Sequence, residues 1–438
     1  MGTEILGLIG LATLFLFICV GFPISFTLIF LSIVLGYIGI GKLVFSLMIY
    51  QFFGTMTETV LAAVPFFLFM GYVLESSGLM SRLFRAFQFL LARVHGSLYI
   101  AVTATATIFG AATGIVGSSV TLLGVMAGPT IRESKYSTRL SAGCITAGGT
   151  LGILIPPSIM LVVMGPVVGV PVTDLFAAAI LPGFLLATLY MVYTLIRCLI
   201  NPSLGPALAE DKIPESFMWV VKELLLGVLP VATLIFIVLG SIMFGFATPT
   251  EGAAAGAGGA MLLTAAYRKL TFTNLKNSMY RTITISSMIL VLVAASNFFG
   301  SVFSRLGSAT YITDFLLGLN FHPLVMLLAI MIVIFVLGWP LEWVPIVLIF
   351  VPILLPLVNS LGIDLCFFSI LVAVTLQTAW LSPPVALSAY FLKGVVPDWT
   401  LKDIYIGMMQ FMGLQMLGLL IILLFPSIAT WLPSVLGG

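Results

Sequence analysis

Charged residues are scarce in this chain of 438 residues, where Asp, Glu, Lys and Arg together make up only 7%. A soluble globular domain carries roughly 25% charged residues. Because 61% of the residues are hydrophobic, the chain cannot hide its apolar surface from water, and lipid must be its solvent. The net charge is only +2 and no Lys/Arg-rich tract occurs, which gives no indication of a nucleic-acid partner.

The groups that mark an enzyme or a metal centre are also missing. The four cysteines stand singly and the two histidines lie far apart, so no Cys/His metal-binding spacing is present. No GxxxxGK[ST] phosphate-binding loop occurs, which argues against ATP as the energy source. No nucleophile–base pair indicates an intramembrane hydrolase. We therefore expect no enzymatic activity and no cofactor.

Long apolar runs are abundant and predict about 11 to 14 membrane elements, since one span needs about 20 residues. Basic residues mark cytoplasmic loops. A membrane topology built on this rule places every Lys and Arg on the cytoplasmic side except Lys42 and Arg305, with both termini in the periplasm. Clear examples of apolar runs are residues 6–20, 224–244, 324–337 and 408–425.

In this topology two apolar stretches are re-entrant hairpins. Residues 97–129 lie between two basic clusters, and their centre, residues 110–121, is rich in Gly, Ser and Thr. Such residues suit a turn at membrane depth; a single span is the alternative. Residues 322–362 are too long for one span, and their centre, residues 338–345, holds two prolines, a glycine and a glutamate.

Each predicted hairpin is followed by a helix that a Pro-Pro pair interrupts. The first helix, 140–165, is interrupted at residues 149–158, and the second, 365–392, at residues 378–385. Proline removes a helical hydrogen bond and pushes the preceding residue out of the helical region. The two units open to opposite sides. The sequence therefore predicts an all-α polytopic membrane protein with an inverted repeat of two hairpins and two broken transmembrane helices, and paired interruptions point to a transporter's binding site.

Two ion sites are expected where each hairpin tip meets its interruption, because free carbonyls and hydroxyls there suit sodium. The competing interpretation is that these small residues only allow close helix packing. Glu342 and Asn297 are polar groups at or within apolar segments and are candidates for a substrate cavity, although Asn297 is equally suited to an inter-helix hydrogen bond. The predicted sodium-binding residues are Gly114, Gly117, Ser118, Ser119, Thr121, Gly152, Pro156 and Ser158 at the first site and Gly338, Thr378, Ser382 and Pro383 at the second. The predicted substrate-binding residues are Thr150, Pro157, Ser296, Asn297, Glu342 and Pro384.

Four motifs in order give the chain a family resemblance. They are residues 152–158 (GILIPPS), Leu175-Phe with Leu181-Pro-Gly183, residues 248–251 (TPTE) and residues 382–384 (SPP). Together they resemble the large membrane (M) subunit of tripartite ATP-independent periplasmic (TRAP) transporters over essentially the whole chain. The second break reads Leu-Ser-Pro-Pro where Leu-Thr-Pro-Pro is more usual, and the hydroxyl is retained.

The resemblance implies more than the residues themselves indicate. It implies sodium-coupled uptake of an organic acid across a bacterial inner membrane, a small four-helix Q subunit and a periplasmic substrate-binding protein (P subunit) as partners, and an elevator fold of the ion-transporter superfamily. The corresponding division is residues 1–96 and 199–281 as scaffold helices, 97–198 and 282–403 as the two transport repeats, and 404–438 as a C-terminal helix.

Two other functions stay open at this point. A stand-alone sodium/dicarboxylate symporter of the same superfamily would need neither partner. A channel or a non-transporting membrane scaffold would not need paired broken helices.

Overall fold

The computed structural model describes residues 2–208, 217–383 and 385–436, apart from the side chain of Phe217. Within these ranges the chain forms helices, turns and bends, and no strand. Seven of the described helices are long and apolar enough to cross a membrane. They are Thr3–Val20, Thr59–Ser76, Val172–Ile200, Met218–Met243, Phe272–Arg305, Trp343–Ser360 and Leu401–Leu424. Length and composition therefore agree with the predicted multi-pass membrane protein.

The chain begins with five helices, of which the second, third and fourth pack against a later, very long helix. These are α1 (Thr3–Val20), α2 (Ile24–Ile40), α3 (Leu43–Thr57), α4 (Ala63–Ser76) and α5 (Leu79–Leu90).

The first predicted hairpin is present as α6 (Ser97–Thr113) and α7 (Val116–Glu133), which are joined by only two residues. The turn is this tight because Gly114 adopts a left-handed conformation with φ of +62°, which glycine enters without steric cost. The interrupted helix that follows consists of α8 (Thr138–Thr150), an irregular segment around Pro156 and Pro157, and α9 (Ile159–Val168). The Pro156–Pro157 peptide bond is cis.

A middle group of helices connects the two repeats. It comprises α10 (Val172–Ile200), α11 (Phe217–Met243), α12 (Pro249–Ala266), α13 (Phe272–Arg305) and α14 (Ser308–Gly318). The TPTE motif forms a capping box at the start of α12, since Thr248 and Glu251 exchange both bonds of that arrangement. Such a cap satisfies amide groups that the first helical turn leaves unpaired. Helix α13 packs against α2, α3 and α4.

The second hairpin and interrupted helix repeat the order of the first. The hairpin arms are α15 (Pro323–Leu337) and α16 (Trp343–Ser360), the latter with a π-helical turn at Ile346–Phe350. The second interrupted helix consists of α17 (Leu365–Gln377), an irregular segment from Thr378, and α18 (Leu387–Val395). The sequence-based fold prediction, with two hairpins and two broken helices, is thus confirmed.

The chain ends in α19 (Leu401–Leu424) and α20 (Ser427–Leu436), and α19 packs tightly against α8. The two helices approach where Gly143 faces Gly407: a Cβ built on Gly407 would lie 1.9 Å from the carbonyl oxygen of Arg139. Small residues allow this close approach of helices in a membrane. Helix α19 also contacts α17, so it touches a broken helix from each repeat.

Candidate functional site

A cavity of about 650 Å³ lies where the tips of both hairpins meet helices α4 and α13. The first tip contributes Gly114 to Ser118, and the second contributes Glu342 to Val344. Residues next to both interruptions complete the wall, including Ile153 and Trp380. Most of the lining is apolar or aromatic with a few polar groups, as in small-molecule sites generally.

The first hairpin tip packs directly against the first interruption. A Cβ built on Gly152 would lie 2.8 Å from the carbonyl oxygen of Gly110, and one built on Gly114 would lie 3.5 Å from Ile159. Two glycines are needed at the closer contact because their backbones touch. The structure therefore brings the first tip and the first break together.

Hydroxyl groups at the first tip are already engaged in hydrogen bonds. Ser118 donates to a carboxylate oxygen of Glu75 on α4. Ser119 lies 3.1 Å from the hydroxyl of Thr113 across the tip. Thr121 donates to the carbonyl oxygen of Gly117 at 2.7 Å. Gly114, Gly117, Ser118 and Thr121 line the cavity, whereas Ser119 is buried behind them.

The first interruption is buried and its serine caps the next helix. Pro156, Pro157 and Ser158 are all buried. The Ser158 hydroxyl donates to the carbonyl oxygen of Ile153 and accepts from the amide of Leu161 at 3.5 Å. The break thus leaves backbone carbonyls at the end of α8 and amide groups at the start of α9 without helical partners. These are the two kinds of backbone group that bind ions.

The second tip meets the second interruption in the same way. A Cβ on Gly338 would lie 3.0 Å from the Cβ of Ala379. Thr378 donates to the carbonyl oxygen of Thr375 at 2.5 Å, and Ser382 donates to that of Thr378 at 2.7 Å. Pro383 is exposed, and the predicted substrate residue Pro384 lies outside the described residues.

The predicted substrate residues are not gathered in one place. Glu342 lines the cavity. Thr150 and Pro157 are buried at the first interruption. Ser296 and Asn297 lie on α13 away from the cavity lining, where the Asn297 amide donates to Thr55 on α3 at 3.1 Å. For Asn297 this is the inter-helix hydrogen bond that the sequence left open as an alternative.

Sequence reasoning missed an ion pair on the cavity wall. Arg281 of α13 donates to the Glu75 carboxylate at 3.0 Å and stacks over the ring of Tyr72, 4.9 Å from its centroid. Arg281 and Glu75 are 206 positions apart, so no local sequence pattern connects them. Glu75 consequently links α13 to Ser118 on the first hairpin.

A buried amide that joins the two interruptions was also missed. Gln415 of α19 donates to the Thr150 hydroxyl at 3.1 Å and to the side-chain carbonyl of Gln377 at 3.4 Å. Thr150 and Gln377 are the last residues of α8 and α17, directly before each break. All three side chains are fully buried. The tertiary fold therefore connects the two symmetry-related positions through one side chain.

Comparison with known proteins gives a consistent result along the chain. A family model described as "Tripartite ATP-independent periplasmic transporter, DctM component" matches residues 11–428. The sialic acid TRAP transporter large permease protein SiaM of Vibrio cholerae is 27% identical over 421 residues, covering 95% of this chain and 96% of that protein. The C4-dicarboxylate TRAP transporter large permease protein DctM of Pseudomonas aeruginosa is 29% identical over 388 residues, 88% of this chain and 89% of that one.

Two further similarities extend the comparison. The isethionate TRAP transporter permease protein DctMQ of Oleidesulfovibrio alaskensis is 28% identical over 382 residues, 87% of this chain and 59% of that protein. Among solved structures, the Alcanivorax borkumensis YdaH transporter superposes with a TM-score of 0.66 and covers 91% of this chain and 95% of its own. Its sequence identity is 17%, so this likeness supports the fold alone.

Proposed function

Because the chain belongs to the DctM-component family of tripartite ATP-independent periplasmic transporters, we propose that it is the subunit through which a small organic acid crosses the bacterial inner membrane, coupled to sodium. Its relatives are transporter permease subunits, so the chain is a multi-pass membrane permease and not an enzyme. The acid, the coupling ion and the partner subunits belong to the proposal.

The cavity of about 650 Å³ between the hairpin tips and helices α4 and α13 is the observation that carries this proposal. Its volume suits a small metabolite. Its wall combines both hairpin tips with α4, a helix of the predicted scaffold, and with α13, which crosses the predicted boundary between scaffold and second repeat at residues 281 and 282. A cavity at that boundary is where alternating access would expose a substrate first to one side of the membrane and then to the other.

An acid as substrate agrees with the names of the relatives. Sialic acid, a C4-dicarboxylate and isethionate are the substrates in the names of the three relatives described above, and all three are acids. In this chain Arg281 supplies donors at the cavity wall. Arginine has five N–H donors, and only one of its nitrogens is bonded to Glu75. The remaining donors are free to bind an acid group.

Sodium coupling rests on the chemistry of the two interruptions. Thr378 and Ser382 donate their single protons to backbone carbonyls, which leaves their hydroxyl lone pairs available to a cation. Thr121 has the same arrangement at the first site. Ser158 there also accepts from the Leu161 amide and keeps one lone pair. Moving one charge across 100 mV corresponds to about 2.3 kcal/mol. Two sodium ions accompanying a monovalent acid would make the inward step net positive and therefore favourable.

The family's tripartite organisation leads to two partners in the proposal: a small four-helix membrane subunit and a periplasmic substrate-binding protein. The division into a fixed scaffold and a moving transport domain is likewise proposed. We place α4 in the scaffold and both hairpins in the moving part. We also assign the whole of α13 to the scaffold, beyond the predicted boundary at residue 281, because it packs against α2, α3 and α4. Uptake would then require the bond between Ser118 and Glu75 to open.

Reconstituted uptake tests the proposal. A thermal-shift screen on the partner binding protein first identifies the acid. Proteoliposomes containing this chain and its small subunit are then given that labelled acid with its binding protein, with or without an inward sodium gradient and an imposed potential. Accumulation that needs sodium and grows with an inside-negative potential is expected. Accumulation that is indifferent to sodium would refute the coupling, and no uptake under any gradient would refute transport itself.

A further inference from the structure

Glu342 is a carboxylate on the cavity wall. It lies at the tip of the second hairpin, directly before α16 begins at Trp343, and its side chain is exposed to the cavity. It makes no cap hydrogen bond to its own helix. Across residues 2–208, 217–383 and 385–436 no basic side chain forms an ion pair with it. Its carboxylate is therefore open to a group that enters the cavity.

The charges on the cavity wall do not cancel. Three acidic or basic side chains line it: Glu75, Arg281 and Glu342. Glu75 and Arg281 neutralise each other through their contact at 3.0 Å. When Glu342 is ionised, the described lining is left with one negative charge. A cavity of this kind opposes a simple anion and favours a ligand that brings its own positive charge.

The surroundings of Glu342 suit an organic cation. Trp343 is its neighbour in sequence, and Trp380, Phe391 and Tyr280 line the same cavity. The rings of Trp380 and Phe391 stand 6.4 Å apart with 32° between their planes. Aromatic faces attract ammonium and quaternary ammonium groups, which are weakly hydrated and bulky.

The same cavity also provides a place for an acid group. Arg281 keeps free N–H donors beyond its bond to Glu75, and about half of its side chain is exposed, at 54%. One ligand with both an acid and a cationic nitrogen would therefore satisfy Arg281 and Glu342 together.

We propose that the cavity selects a zwitterion, an organic acid that also carries a cationic nitrogen, with the nitrogen against Glu342 and the aromatic rings and the acid group against Arg281. This rests on the proposed transport function and narrows its substrate class. The relatives' names give no indication of a cationic group, and the specificity follows from the unpaired carboxylate of this chain.

Two isosteric probes isolate the contribution of the nitrogen. Glycine betaine and 3,3-dimethylbutyrate have the same shape and the same carboxylate, and they differ in a positively charged nitrogen against a neutral carbon. Binding of each is measured on the full-length protein with its small subunit, in sodium buffer, by ligand-dependent thermal shift and quenching of tryptophan fluorescence. We expect betaine to bind the wild-type protein at least about tenfold more tightly, the contribution of one charge-assisted contact.

Glu342→Gln removes the charge and keeps the shape of the side chain. It should abolish the preference for betaine and improve binding of 3,3-dimethylbutyrate several-fold. Asp314→Asn is the matched control, because Asp314 is an exposed acid on α14 that does not line the cavity. This control should keep the wild-type preference.

The possible outcomes separate this inference from the proposed function. Equal or tighter binding of 3,3-dimethylbutyrate to the wild-type protein would refute the zwitterion and leave acid transport standing. Equal preference in wild type and Glu342→Gln would show that sodium or a proton neutralises Glu342, which also refutes it. If neither probe binds, the ligand identified on the binding protein tests the inference instead. An acid without a cationic nitrogen would refute the inference. Failure of the proposed function would appear separately, as absent uptake of that ligand.

Discussion

Gln415→Leu should disturb both predicted sodium sites at once. The substitution keeps a side chain of similar size but removes the donor that bonds Thr150 at 3.1 Å and Gln377 at 3.4 Å. Thr150 still donates to the carbonyl of Ala147 at 2.8 Å, whereas the Gln377 carbonyl is left buried without a donor. Each neutral hydrogen bond contributes about 1 kcal/mol net.

The effect on sodium follows from the position of those bonds. Because Thr150 and Gln377 are the last residues before each interruption, losing the orienting bond should weaken sodium binding by about fivefold at each site, given that 1.4 kcal/mol corresponds to about tenfold. The sites should also become more independent, so that the Hill coefficient for sodium falls towards one. Sodium-dependent uptake in proteoliposomes and sodium-dependent thermal unfolding both measure these values.

Gln410→Leu is the matched control on the same helix. Gln410 accepts from the Tyr193 hydroxyl at 2.8 Å and does not contact either interruption. It should lower the unfolding temperature without changing the sodium concentration for half-maximal uptake. An unchanged half-maximal concentration and Hill coefficient in Gln415→Leu would refute the idea that this amide couples the sites.

Two further substitutions probe the contacts of the first hairpin tip. Glu75→Gln removes the charge that holds Ser118 and Arg281. Because this weakens a charge-assisted bond worth about 1.5–3 kcal/mol, it should shift the initial velocity of uptake. Glu223→Gln weakens a comparable ion pair with Arg82, in which the charged atoms are 2.9 Å apart and which lies outside the cavity, and it should leave that velocity unchanged. Gly152→Ala would place a Cβ 2.8 Å from the Gly110 carbonyl and should lower the unfolding temperature, whereas Gly258→Ala, which has open space around it, should raise it slightly through better helix propensity. Equal shifts in both glycine variants would contradict the close contact between tip and break.

The features that sequence predicted are those with a local chemical cause. Pro-Pro pairs cannot continue a helix. The Gly/Ser/Thr run at residues 110–121 suits a turn at membrane depth. The structure has the two helix breaks and this turn at the predicted residues. The capping box of Thr248 and Glu251 is another such local pattern.

The features that sequence did not predict depend on which distant helices become neighbours. The ion pair of Glu75 and Arg281 joins positions 206 residues apart, and the Gln415 amide reaches Thr150 across 265. A single sequence contains no signal for such pairings. Asn297 shows the converse: a polar group in an apolar helix suggested a cavity, but the fold gave it Thr55 as a partner.

Substrate protection of a cysteine in the cavity tests the central claim most directly. Thr284 lines the cavity on α13 and is exposed, so Thr284→Cys is introduced after the four native cysteines, Cys19, Cys144, Cys198 and Cys366, are replaced by alanine. Labelling by a water-soluble thiol reagent is followed with and without the acid identified on the binding protein, in sodium buffer. Asn320→Cys, in the exposed loop after α14 and outside the cavity, is the control.

The account predicts that saturating acid with sodium slows labelling of Thr284→Cys and leaves Asn320→Cys unchanged. Labelling of Thr284→Cys at the same rate with and without the acid, in protein that still takes it up, would contradict the assignment of this cavity as the substrate site.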